Sequence, residues 1–132
     1  MKPAPLIIAP QAADAPGTGL RGSHLVIQDW PATGGAQEVA PLHVHHGDDE
    51  AWHVMSGALR FRLGDDEFVV GAGSTVLVPA GVPHTFGNAG PEPSRYIIIL
   101  TTRLDELIRE LHEASPAERT EIYRRHESEL LE

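Results

Sequence analysis

Histidines and a carboxylate at short, regular spacing are the residues of this sequence best suited to do chemistry, and that chemistry is metal binding. The first stretch reads Pro41-Leu-His43-Val-His45-His46-Gly-Asp-Asp-Glu50. In an extended strand, side chains at i and i+2 point to the same face. His43 and His45 therefore project together, with Leu42 and Val44 opposite. First-row metals take imidazole nitrogens at roughly 2.0–2.1 Å, and one strand can present two such rings to one point. The turn at Gly47–Asp49 reverses the chain, so Glu50 opens the neighbouring strand close to the same spot. A carboxylate there lowers the charge of a site and suits harder ions. The alternative for this stretch is simply a polar strand face. The second stretch, Gly73-Ser-Thr-Val-Leu-Val-Pro79-Ala-Gly81-Val-Pro83-His84-Thr-Phe-Gly-Asn88, is a strand, a tight Pro/Gly turn and another strand. His84 opens that later strand with Phe86 and Asn88 at its parity, which carries it inward.

Together the two stretches resemble the two motifs of the cupin superfamily. The first motif runs Gly, five residues, His-x-His, three or four residues, Glu, six residues, Gly. Here the places fall on His43, His45, Glu50 and Gly57. The second runs Gly, five residues, Pro-x-Gly, two residues, His, three residues, Asn, and Gly73, Pro79, Gly81, His84 and Asn88 match every place. One departure exists: the opening glycine of the first motif falls at Gln37, with Gly34 and Gly35 the nearest glycines. The motifs cover residues 43–88, and the strands around them extend the match over about 24–102. The resemblance implies an all-β fold, an antiparallel jelly-roll barrel (double-stranded β-helix) with a single cupin domain. It also implies one divalent ion held by His43, His45, Glu50 and His84. Iron, manganese, nickel, cobalt, copper and zinc all accept such donors, so the ligands do not choose among them. By the same comparison His46 and His53 fall outside the motif. His46 could act behind the ligands, and Asp49 is an alternative carboxylate if the loop shifts. Asp48 and Asp49 read as turn residues in solvent, and His24, His112 and His126 as surface histidines.

The elements that must position these residues follow from pattern. Residues 1–22 carry four prolines and three glycines and read as an extended N-terminal arm, with one edge strand at Leu6–Ala9. Proline cannot donate to a central ladder. Residues 23–102 form the barrel, with strands expected at 24–29, 38–45, 51–55, 58–63, 66–70, 75–78, 84–87 and 95–101, separated by Gly, Pro, Asn and Asp. Many short strands without helical interruption indicate an all-β sandwich or barrel. Residues 103–132 change period and form a short helical appendage packed on the barrel. Leu104, Leu107, Ile108 and Leu111, then Ile122, Tyr123 and Leu130, recur at helical spacing. Ser115-Pro116-Ala117-Glu118 is a capping box with proline at the first helical position, so helices are expected over 104–113 and 116–130.

Parity extends from the ligands to their surroundings. Trp52 and Val54 share a face with Glu50, and Phe86 with His84. Leu59, Phe61 and Leu63 face inward in preference to Arg60 and Arg62, because an unpaired buried guanidinium is costly. Tyr96, Ile98 and Leu100 form the inward set of the last strand. Trp52, Phe61, Phe86 and Tyr96 thus line an apolar, aromatic interior, either a small-molecule pocket or plain filling of the barrel. Val69 or Val70, Val76, Val78, Ile97 and Ile99 are assigned to the opposite face. That second apolar face needs cover, and a homodimer is the expectation.

Bulk properties bound the partners. The 132 residues suffice for one core, and the formal charge of −9 disfavours nucleic acid or an anionic membrane as partner. No cysteine is present, which excludes disulfides and thiolate chemistry. The apolar run Leu6–Ala9 is too short for a membrane span or signal core, so a cytoplasmic location is expected. Four protein ligands leave one or two open positions on a five- or six-coordinate ion. Those positions suit a metal-dependent enzyme acting on a small organic molecule. The resemblance extends to the quercetinase-like and other dioxygenase cupins, with Glu50 also serving as the catalytic proton acceptor. A binding module without turnover is the alternative, as is an isomerase or epimerase, for which Arg95 is the only phosphate-binding cation to test.

Overall fold

The computed structural model describes residues 6–33 and 39–131. Its strands are β1 (Thr18–Arg21), β2 (Leu25–Ala32), β3 (His43–His45), β4 (Glu50–Ser56), β5 (Ala58–Leu63), β6 (Asp66–Gly71), β7 (Thr75–Val78), β8 (His84–Asn88), β9 (Ser94–Thr101) and β10 (Ser128–Leu130). Two helices, α1 (Thr102–Glu113) and α2 (Arg119–Arg125), lie between β9 and β10. The strands form two five-stranded sheets in the orders β1-β2-β9-β4-β7 and β10-β3-β8-β5-β6. All pairings are antiparallel, the jelly-roll arrangement expected. Residue 38, at the start of the strand expected over 38–45, and the glycine-rich turn around Gln37 lie outside the described residues.

Alternation places the core. Trp52 and Val54 on β4, Leu59 and Phe61 on β5, and Tyr96, Ile98 and Leu100 on β9 are all buried, as their parity requires. The register confirms the layering, with Trp52 opposite Ile98 and Val76, and Phe61 opposite Phe68 and Phe86. Here one expectation is corrected. Val76 and Val78 face the interior, because β7 pairs them with Trp52 and Glu50, two inward residues. Leu77 takes the outer face instead, 60% exposed.

Turns fix the strand ends. Gly57, between β4 and β5, has φ +72°, and a Cβ there would sit 2.3 Å from Ser94 Oγ. Only glycine tolerates both conditions. Ser94 Oγ in turn accepts from Ala58 N–H at 2.9 Å and donates to Asn88 Oδ1 at 2.6 Å. The Asn88 amide then donates to the Gly90 and Glu92 carbonyls. Two motif positions, Gly57 and Asn88, therefore serve the scaffold.

The ends of the chain differ from expectation. Residues Leu6–Ala9 form no strand, and the first strand is β1. The arm is held by Arg95, whose guanidinium donates to the carbonyls of Ala12, Ala15 and Pro16 and to Asp29 Oδ1 at 2.5 Å. Arg95 is 2% exposed. Its cation is used inside the fold, so it is not a phosphate-binding group at a strand mouth. Helix α1 begins at Thr102, capped by the Thr101 hydroxyl, which accepts from Leu104 N–H. The Ser115–Glu118 capping box is present, and it opens a 3-10 turn at Pro116–Glu118 ahead of α2. The second helix does not reach residue 130. It stops at Arg125, Glu127 adopts φ +55°, and residues 128–130 become β10 on the free edge of β3. Leu130, in phase with Tyr123 for a helix, pairs with His43 instead.

Candidate metal centre

Three strands deliver four side chains to one point. β3 carries His43 and His45, β4 begins with Glu50, and β8 begins with His84, paired in register with His43. One donor atom from each of His43, His45, Glu50 and His84 lies within 4.8 Å of the others. All four are buried, at 8%, 6%, 5% and 2% exposure. The structure thus assembles the set that the motifs implied.

Each imidazole is oriented through its Nδ1. His43 Nδ1 lies 2.7 Å from the Pro41 carbonyl and His84 Nδ1 2.9 Å from the Val82 carbonyl. A carbonyl only accepts, so both Nδ1 atoms carry protons and the Nε2 atoms are left for the centre. Burial, then the neighbouring His84, brings the His43 pKa down to about 4. The ring is therefore neutral at pH 7, with a bare Nε2 lone pair. Glu50 Oε1 is 2.8 Å from His45 Nε2 and 3.0 Å from His84 Nε2. Burial alone would raise the Glu50 pKa, but hydrogen bonds from His45 and His84 outweigh it and hold the carboxyl at about 2. A fixed anion facing imidazole nitrogens whose far sides are already tied is the donor set of a divalent cation. The residues present fit such an ion.

The flanking residues divide clearly. Trp52, Phe61, Phe86 and Tyr96 contact one another, with ring centroids 5.2 Å apart for Trp52–Phe86, 5.7 Å for Phe61–Phe86 and 5.3 Å for Phe86–Tyr96. Trp52 also meets the His84 ring at 5.9 Å. They are the packed interior beside the cluster, and Trp52 Nε1 is buried there without a hydrogen-bond partner among the described residues. His46 bonds Glu129 at 3.2 Å and His53 bonds Thr75 at 2.8 Å, both away from the cluster. Asp49 Oδ1 accepts from Ala80 N–H at 2.8 Å, joining the two motif loops. Asp48 is buried, 3.5 Å from Arg103, and is not a solvent residue. His126, expected at the surface, is half-buried and reaches Glu110.

Two residues outside the two motifs belong to the site. Tyr123 on α2 lays its ring 5.6 Å from that of His43 and is 4% exposed. Burial, then the Glu50 carboxylate, raises its phenol pKa. Ser128 on β10 places its hydroxyl 2.7 Å from His45 Nδ1. The helical spacing at Ile122 and Tyr123 predicted burial without saying against what.

Comparison with known proteins agrees with this geometry. The family model described as the cupin domain matches residues 34–100. Quercetin 2,3-dioxygenase of Bacillus subtilis is 33% identical over 54 residues, 41% of this chain and 16% of that protein. Mannose-1-phosphate guanylyltransferase 2 of Escherichia coli O157:H7 is 34% identical over 56 residues, 42% of this chain and 12% of that protein. The chain therefore spans less than a fifth of the length of either curated relative. A cupin protein from Bacteroides fragilis shares the fold at TM-score 0.61 and 17% identity, covering 72% of this chain and 82% of that one.

Proposed function

This chain belongs to the cupin family, and from that premise we propose that it is a metal-dependent enzyme of dioxygenase type acting on a small organic molecule. The observation that carries the reading is the convergence of His43, His45, Glu50 and His84, whose donor atoms lie within 4.8 Å of one another. A bound divalent ion supplies Lewis-acid or redox chemistry at an open coordination position. The protein supplies the rest. Three rings tied at Nδ1 point their Nε2 atoms inward, and the apolar wall of Trp52 and Phe86 limits water. Both ring contacts to Glu50 go to Oε1, so Oε2 is the atom to accept a substrate hydroxyl proton.

A second reading, a metal-holding module without turnover, is favoured by burial. None of the four donors is more than 8% exposed, and Tyr123 lies against His43. An isomerase or epimerase acting on a phosphorylated sugar has less support, because Arg95 is sequestered by Asp29.

Metal analysis of protein purified without chelator should give near-stoichiometric divalent metal, and His84→Ala should lose it while keeping its far-UV circular dichroism. Absence of metal from the wild type would refute the reading. Oxygen uptake with a panel of phenols, diketones and enediols then separates the two functions: uptake is expected for the enzyme, and saturable binding without uptake for the module.

A further inference from the structure

We propose that the C-terminal strand is a working part of this centre, and that Ser128 is a positioning residue that sets the tautomer and ring orientation of His45. The inference rests on reading the cluster as a metal site. His43 and His84 lean on carbonyls two residues earlier in the chain, Pro41 and Val82. Their orientation is local. His45 has no such support, and its Nδ1 partner is Ser128 Oγ at 2.7 Å, 83 residues away.

The direction of that bond follows from the hydroxyl's second contact. Ser128 is 2% exposed, and its Oγ lies 3.1 Å from the His126 carbonyl. A carbonyl only accepts, so the single hydroxyl proton goes to His126. Oγ then meets His45 Nδ1 as an acceptor and Nδ1 carries a proton, so Nε2, which lies 2.8 Å from Glu50 Oε1, is the nitrogen that an ion would take. The opposite arrangement would put a proton on Nε2, where it blocks coordination.

The contact is built in. β10 is registered on β3 with Ser128 opposite His45 and Leu130 opposite His43. Bonds from His46 N–H to the Glu127 carbonyl (2.8 Å) and from Leu131 N–H to the Leu42 carbonyl (2.9 Å) extend the pairing. The cupin-domain match ends at residue 100, so this support comes from outside the matched region. Docking of the C-terminal segment and metal affinity are thereby linked.

The test is zinc(II) titration of chelator-stripped wild type, Ser128→Ala and Ser128→Thr in competition with a chromophoric chelator. Outer partners of metal-bound histidines contribute about 10- to 100-fold in affinity. Ser128→Ala is expected to weaken zinc by that factor, and Ser128→Thr, which keeps the hydroxyl, to bind like wild type. Equal affinity in wild type and Ser128→Ala overturns the role of Ser128 and leaves the metal reading intact. Failure of the wild type itself to bind overturns the metal reading. Nitrogen-15 spectra of the zinc-loaded wild type give a measurement that needs no variant. His45 should be protonated at Nδ1, with slow exchange of that proton. Coordination through Nδ1, or a rapidly exchanging Nδ1 proton, overturns the inference even if Ser128→Ala does not fold.

Discussion

At the scale of single residues, the cluster couples stability to pH. His43 falls from 6.5 to about 4 because burial and the adjacent His84 resist its charging. The unfolded chain takes up that proton first, so stability is undiminished above pH 6.5 and declines as pH drops toward 4. Glu50 falls from 4.5 to about 2. Its contribution is complete above 4.5 and is lost as pH falls through 2. The two act with the same sign, and the protein stripped of metal should be acid-labile. His43 alone contributes about 3 kcal/mol between pH 7.5 and pH 4, from 1.36 kcal/mol per pKa unit. Urea melts of the stripped protein at the two pH values check this, and identical midpoints would contradict it. The four donors were legible in the sequence because His43 and His45 share one strand face, a turn brings Glu50 beside them, and the resemblance to the two cupin motifs joins His84 to the set. Ser128 was not. Its meaning depends on a partner 83 residues distant.

At the scale of elements, two contacts decide how the ends of the chain are used. Arg95 on β9 pairs with Asp29 on β2, and both are buried. Removing one member of such a pair leaves an uncompensated charge and typically costs about 3–5 kcal/mol. Arg95→Ala should lose that much in chemical denaturation and also release residues 12–16 to proteolysis. The double variant Arg95→Met with Asp29→Leu should recover most of the stability, since an apolar replacement of both partners can be neutral. A double variant no better than Arg95→Ala alone would show that the carbonyl contacts to the arm, not the ion pair, carry the effect. The other contact is the edge of β3. Pattern over 116–130 favours a helix throughout, and Ser-Glu-Leu is no strong strand former. An open edge beside the site is the stronger demand, because unpaired backbone groups there are costly when buried. Helix α2 therefore ends after seven residues.

At the scale of the whole molecule, one face remains to be explained. The register aligns Leu20, Ile27, Ile99, Ala51 and Leu77 in a single outward row across β1, β2, β9, β4 and β7. Leu77 is 60% exposed. An apolar row across a sheet face suits an isologous contact with a second copy, in which the same patch meets itself. We propose that this row is the homodimer interface. Size-exclusion chromatography with light scattering should report a dimer at micromolar concentration, and Leu77→Lys should give a monomer with metal content unchanged. A monomeric wild type would contradict the assignment. Polyanionic partners are disfavoured by the formal charge of −9. Among the described residues no helix is long and apolar enough to cross a membrane.

The resemblance to the cupin motifs implied that His84 joins the donor set, while the sequence alone determined the barrel, most of its inward faces and the approach of His43, His45 and Glu50. Those properties depend on periodicity within a strand and on turns between neighbours, and a short window contains both. Only the tertiary structure decided that Val76 and Val78 face inward, that Arg95 holds the arm, and that residues 128–130 leave the helix to pair with β3. It also decided that Trp52, Phe61, Phe86 and Tyr96 pack on one another. Each of these turns on which distant backbone or charge is the neighbour, as in the 66-residue separation of Arg95 from Asp29. Such a choice is made by burial and pairing in three dimensions, and no local spacing records it.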